Sequence, residues 1–245
     1  IWTNDWDQHT LLTGLTGRWE QYTDNSPAQT GFSNLIPGLF VQDEWSATDE
    51  LTVLSGLRLD RHEAHGNIIS PRLNLKYAWS EWTTARLNLG SGFRQVHLFT
   101  EDHAALTGTR EVVIQEDLQP ERSYNATVNL NHVYQTKSTG TGELNLDGFY
   151  NYFTNKITPD YDADPDKVIY RNLDGYGITR GVSLSLSHDF QTPLTVKLSG
   201  TYQSAFQVSP QGPEQERTEI PFTPAFSGNF RVKYQWAKPG INLAY

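Results

Sequence analysis

Apolar and polar residues alternate along most of the chain, and the alternation predicts strands with two unlike faces. Between positions 51 and 62, Leu51, Val53, Leu57 and Leu59 share one face while Thr52, Arg58, Asp60 and His62 share the other. The next run sets Leu73, Leu75, Tyr77 and Trp79 against Arg72, Asn74 and Lys76. A third sets Ala85, Leu87, Leu89 and Phe93 against Arg86, Asn88 and Arg94, so neighbouring strands place arginines on the same polar face. The pattern returns in Val182, Leu184 and Leu186, in Leu194, Val196 and Leu198, and in Phe226, Phe230, Val232, Tyr234 and Trp236. A strand wetted by lipid on one side and by an aqueous lumen on the other reads this way.

Two kinds of connection separate these runs. Short ones are expected at 46–50, 80–83, 191–193 and 237–240, and long ones at 24–35, 94–122, 158–167 and 208–221. Their alternation suits strands that cross a membrane up and down, with short turns on one side and long loops on the other. Trp45, Tyr77, Trp79, Tyr234 and Trp236 fall beside the short turns, where a barrel carries an aromatic girdle. The segments amount to about ten or eleven strands, each near the ~9 to 11 residues that cross a bilayer at a tilt. The fold expected is all-β, an antiparallel transmembrane β-barrel; a soluble sandwich or propeller is the competing architecture, and no fixed repeat supports the latter.

Composition narrows the function. Aromatic residues reach 12%, whereas no stretch approaches the ~18 apolar residues of a membrane helix. The absence of cysteine removes disulfides, thiolate metal sites and cysteine nucleophiles together. A net charge of -9 argues against nucleic acid as a partner. The absence of methionine, the opening at Ile1 and the unfinished alternating segment 241–245 are read as marks of a fragment, whose remaining strands would lie elsewhere in a longer protein.

Several stretches, taken in order, resemble the barrel of TonB-dependent outer-membrane receptors. They are Gly38-Leu-Phe-Val-Gln-Asp-Glu-Trp45, Leu54-Ser-Gly-Leu-Arg-Leu-Asp60, Ser70-Pro-Arg-Leu-Asn-Leu75 and Gly90-Ser-Gly-Phe-Arg94. Glu116-Asp-Leu-Gln-Pro-Glu121, Phe149-Tyr-Asn-Tyr-Phe153 and Asn155-Lys-Ile157 continue the series, which spans most of residues 9–236. The loop carrying Phe99-Thr-Glu-Asp-His103, with Asn172-Leu-Asp-Gly-Tyr176, looks most like the cobalamin and iron-siderophore branch of Bacteroidota-type bacteria. The resemblance implies a 22-strand barrel in the bacterial outer membrane, with residues 1–245 supplying about half of it and no recognisable plug or coupling box. It also implies partners: outer-membrane lipids, a plug domain of the same parent protein, the TonB complex, a small-molecule nutrient and, in some relatives, a surface lipoprotein lid. Import of a metal chelate or cobalamin is then the expected function. A passive channel or structural barrel is the alternative, and an outer-membrane hydrolase a further one.

Candidate site residues follow. The inward arginines Arg58, Arg72, Arg86 and Arg94 could meet a plug carboxylate or an anionic chelate; pairing with Asp60 or a neighbouring strand is the simpler reading. Phe99, Glu101, Asp102, His103, Tyr161 and Tyr170 lie in the long loops expected to capture ligand. Asp160, Asp162 and Asp164 place carboxylates at alternate positions, as calcium ligands would, although Pro165 interrupts the run and a solvated acidic loop explains it as well. No other cofactor is expected. His62-Glu63-Ala64-His65 lacks the spacing of a helical zinc motif and reads as a turn. Glu101, Asp102 and His103 are consecutive and poorly placed to converge on one atom, and Gly90-Ser91-Gly92 does not have the pattern of a nucleophile elbow. An enzyme is therefore not expected.

Overall fold

The computed structural model describes residues 1–23, 32–63, 65–94, 110–114, 118–160, 163–209, 216–220, 222–235 and 242–244. Every regular element among them is a strand. These are β1 (Trp2–Trp6), β2 (His9–Tyr22), β3 (Phe32–Ser46), β4 (Leu51–His62), β5 (Gly66–Ser80), β6 (Thr83–Arg94), β7 (Glu111–Ile114) and β8 (Glu121–Thr136). There follow β9 (Gly140–Thr154), β10 (Ile157–Asp160), β11 (Lys167–Asn172), β12 (Tyr176–Phe190), β13 (Leu194–Ser209), β14 (Glu216–Glu219), β15 (Phe226–Gln235) and β16 (Asn242–Ala244).

The main sheet runs β1-β2-β3-β4-β5-β6-β8-β9-β12-β13-β15-β16, with β14 added beside β13. Every pair in it is antiparallel. β1 and β16 end this order and do not pair with each other, so the described strands form part of a barrel wall. Local chemistry sets the short turns. Asp7 takes a φ of 47°, which a short polar side chain tolerates. Thr48 Oγ1 accepts the Glu50 and Leu51 N–H groups, and Ser80 Oγ accepts that of Trp82. At the opposite end Gly66, at φ 69°, lets β4 turn directly into β5.

The two faces are those the alternation predicts. Leu15, Leu39, Leu57, Val128, Leu146, Val182, Leu184 and Leu198 stand exposed on one side, the lipid-facing side of a barrel. One row of register partners on this face begins at Trp6 and Trp45 beside the short turns. It passes through Leu75, Val128 and Val182 and reaches Phe226 at the loop end of β15. The row climbs because the strands are sheared past one another, as closure into a barrel requires. Trp45, Tyr77, Trp79 and Tyr234 are exposed near the short turns and form the expected girdle; Trp236 lies outside the described residues.

Two expectations are corrected. Most long strands run to 12–16 residues rather than 9–11. At ~3.3 Å per residue they exceed the apolar band, and the surplus projects at the loop end. The segments expected as plain loops also contain strands. β7, β10 and β11 form a separate three-stranded sheet, with β11 between an antiparallel β10 and a parallel β7. Val168 and Tyr170 are buried at its centre, with Leu118 and Ile157 packed against them.

Candidate functional site

The inward face is a polar wall, and its arginines differ in what they meet. Arg58 is committed: Nε and Nη2 donate to the two Asp60 carboxylate oxygens, each at 2.7 Å, and Nη2 reaches Thr16 Oγ1 at 3.3 Å. Asp60 is only 1% exposed and lies against Gly38, where any side chain would collide with its carboxylate. Arg86 donates to Asn129 Oδ1 at 3.3 Å, and Asn129 donates in turn to Asp147 at 2.8 Å, a chain of contacts across β6, β8 and β9. Arg72 crosses the glycine rung formed by Gly56 and Gly90, leaning over Gly56. It has no hydrogen bond or ion pair among the described residues. Its guanidinium borders a recess of about 450 Å³ lined also by Leu12, Phe40, Gly56, Arg58 and Ser70.

Arg94 stands at the loop end of β6, opposite the first residue of β8. Its Nε and Nη2 donate to Glu121 Oε2 at 3.0 and 2.9 Å, and Glu121 Oε1 accepts the Ile157 N–H at 2.9 Å. Glu121 is buried and so joins the barrel rim to the first residue of the external sheet. Lys156 lines a second recess, about 430 Å³, with Arg94, Glu121, Ser123, Phe153 and Thr179. Burial lowers the Lys156 ammonium below its ordinary range; Glu121 opposes this and Arg94 adds to it. Asn172 completes the junction by accepting the Gln119 N–H at 2.7 Å and donating to the carbonyls of Gln119 and Asn155.

Tyr170 is 1% exposed and forms the centre of the external sheet, so its ring supports the loops from within. Asp160 accepts from Arg171 at 3.0 Å and from the Ala163 N–H at 3.0 Å, and Asp164 accepts from the Asp166 N–H at 2.9 Å. Those oxygens serve local partners, and no group of three or more acidic or histidine side chains suited to a metal occurs among the described residues. Asp162, the third residue of the calcium reading, lies outside the described residues, as do Phe99, Glu101, Asp102, His103 and Tyr161. Sequence reasoning missed Glu121 and Lys156 as site residues. The closing charge of one strand, Arg94, facing the opening charge of the next, Glu121, was the available signal.

The TonB dependent receptor-like, beta-barrel family model matches residues 2–245. An iron-regulated outer membrane virulence protein of Vibrio cholerae is 32% identical over 162 residues, which are 62% of this chain and 24% of that protein. The chain thus spans well under half the length of this curated relative. Among solved structures, the ferric enterobactin receptor PfeA of Pseudomonas aeruginosa superposes with a TM-score of 0.70 at 18% identity, covering 96% of this chain and 38% of that one. The FrpB iron transporter of Neisseria meningitidis gives 0.69 at 14%, covering 97% and 40%. These two likenesses establish the fold: a partial wall of an outer-membrane β-barrel. With nearly its whole length matched by the family model, the chain belongs to the TonB-dependent receptor β-barrel family.

Proposed function

We propose that the chain is part of an outer-membrane importer that takes up an anionic ferric chelate of the siderophore class. The observation carrying this is Arg72, a lumen guanidinium free of protein partners among the described residues, on the wall of a TonB-dependent receptor barrel. Guanidinium matches the paired oxygens of carboxylate and catecholate groups. The named iron regulation of the Vibrio cholerae relative favours iron over cobalamin as the cargo. In this reading a plug domain of the same parent protein fills the lumen beside Arg72 and Arg86, and the TonB complex supplies the energy that displaces it. The loop segments around 99–103 and 161–166 meet the ligand first, and Tyr170, buried at the centre of the three-stranded sheet, does not touch it.

Uptake of radiolabelled iron as a ferric siderophore by cells carrying the full-length receptor tests this. Uptake should require the proton-motive force. Arg72→Ala should weaken binding by about tenfold, equivalent to ~1.4 kcal/mol. Steady ion conductance of the full-length receptor in a planar bilayer, with no energy-dependent uptake, would make it a passive channel instead.

A further inference from the structure

Charge on the lipid-facing wall is unusual, and at one place two arginines there share a ring. The register places Arg180 of β12 between Tyr150 of β9 and Ser204 of β13, and Arg217 of β14 opposite Val208. Their guanidinium carbons lie 5.8 and 3.8 Å from the centre of the Phe206 ring, which is buried. Arg217 also donates to Ser204 Oγ at 3.4 Å. Neither forms an ion pair among the described residues, Glu219 on the rung opposite Phe206 included. The inward arginines Arg18, Arg58 and Arg94 each meet a carboxylate. The outward pair is therefore a local excess of positive charge in a chain whose net charge is -9.

Beneath this pair the apolar wall is dented. A hollow of about 680 Å³ is lined by Ala126, Val128, Gly148, Val182 and Tyr202 as well as by the two arginines. Gly148 sits on the row between Val128 and Val182, and nothing lies within 4 Å of where its Cβ would be. Height fixes the surroundings. Arg180 precedes Phe190, at the short-turn end of β12, by ten positions. At ~3.3 Å per residue and a tilt of ~40°, that separation spans about 25 Å of depth, the height of a barrel's apolar band. The arginines consequently stand at the loop-side interface, with the hollow in the leaflet just below them.

We propose that this hollow binds a phosphate-bearing lipid of the loop-side leaflet, its phosphate held between Arg180 and Arg217 and an acyl chain laid over Gly148. Guanidinium pairs phosphate bidentately, and the charge-assisted bonds strengthen where water is scarce. A soluble anion would satisfy the arginines but leave the hollow empty, whereas a lipid fills both halves of the site. The assignment needs only the barrel and its membrane, and is independent of what the receptor imports.

Native mass spectrometry of the full-length receptor, extracted in detergent and supplied with lipid A, tests it. The wild type should retain lipid A, and Arg180→Gln with Arg217→Gln should lower retention at least about tenfold. Gly148→Trp fills the hollow while leaving both arginines in place, and should lower retention equally; it decides the matter if the double variant fails to fold. Heat-modified mobility on gels reports folding of each. Undiminished retention in the folded variants would overturn the proposal. So would release of the lipid by inorganic phosphate, which would mark a free-anion site, or equal retention of diacylglycerol, which carries no phosphate and would mark an unspecific apolar surface.

Discussion

Glu121 shows how much a single side chain holds at the rim. One carboxylate oxygen receives two Arg94 bonds and the other receives the Ile157 N–H. Arg94 is more than half exposed, so its ion pair adds little, and the buried acceptor for a backbone N–H dominates. Glu121→Ala should cost ~1–3 kcal/mol locally and accelerate exchange of the Ile157 amide by about tenfold or more. Unchanged exchange would remove Glu121 from this role. At the β4–β5 turn, His65 stacks on His62 with ring centres 4.5 Å apart. Burial and, secondarily, the charge of His62 lower the His65 pKa from 6.5. The folded turn therefore takes up a proton less readily than the unfolded chain. Its contribution is whole above pH ~6.5 and is lost as pH falls through the lowered value. The protection factor of the Gly66 amide, exchange being taken relative to its intrinsic rate at each pH, should accordingly fall between neutral and mildly acidic pH, and His65→Phe should abolish that dependence.

Among the elements, strands were far more legible than loops. Arg58, Arg72, Arg86 and Arg94 share one face of the sheet, opposite the exposed leucines, as alternation requires, because side-chain period alone decides the face of a strand. The external sheet had no such signal. β7 and β10 are four residues each, β10 contains Pro159 at an edge, and the parallel pairing of β7 with β11 joins segments more than fifty residues apart. Segments as short as these read as loops until their partner is known, even where, as in β7, three of four residues are apolar. The shared core gives the sheet its test. Tyr170→Ala should remove ~3 kcal/mol of packing. Protection in 111–114 and 167–172 should then fall together, even though only one of the two segments carries the change. Loss confined to 167–172 would show the strands to be independent.

For the whole molecule, the described strands form a sheared wall whose end strands, β1 and β16, do not pair with each other. Each end strand presents backbone groups that lipid cannot satisfy. Residues 1–245 expressed alone should fail to give the heat-resistant band of a closed barrel, whereas the full-length receptor should give it; a resistant band from the isolated segment would point to closure by self-association. The site was less legible than the wall. Arg72 could be assigned to the polar face from its neighbours, but its freedom from partners among the described residues depends on the glycines of two adjoining strands coming into register with it.

The parallel contact between β7 and β11 also bears on how such a receptor can change. Two stretches far apart in sequence are bound by a shared hydrogen-bond ladder, so neither is free to drift alone. A graft that exchanges one of them for a relative's counterpart should lose its footing. The heritable unit of variation on this face is the pair.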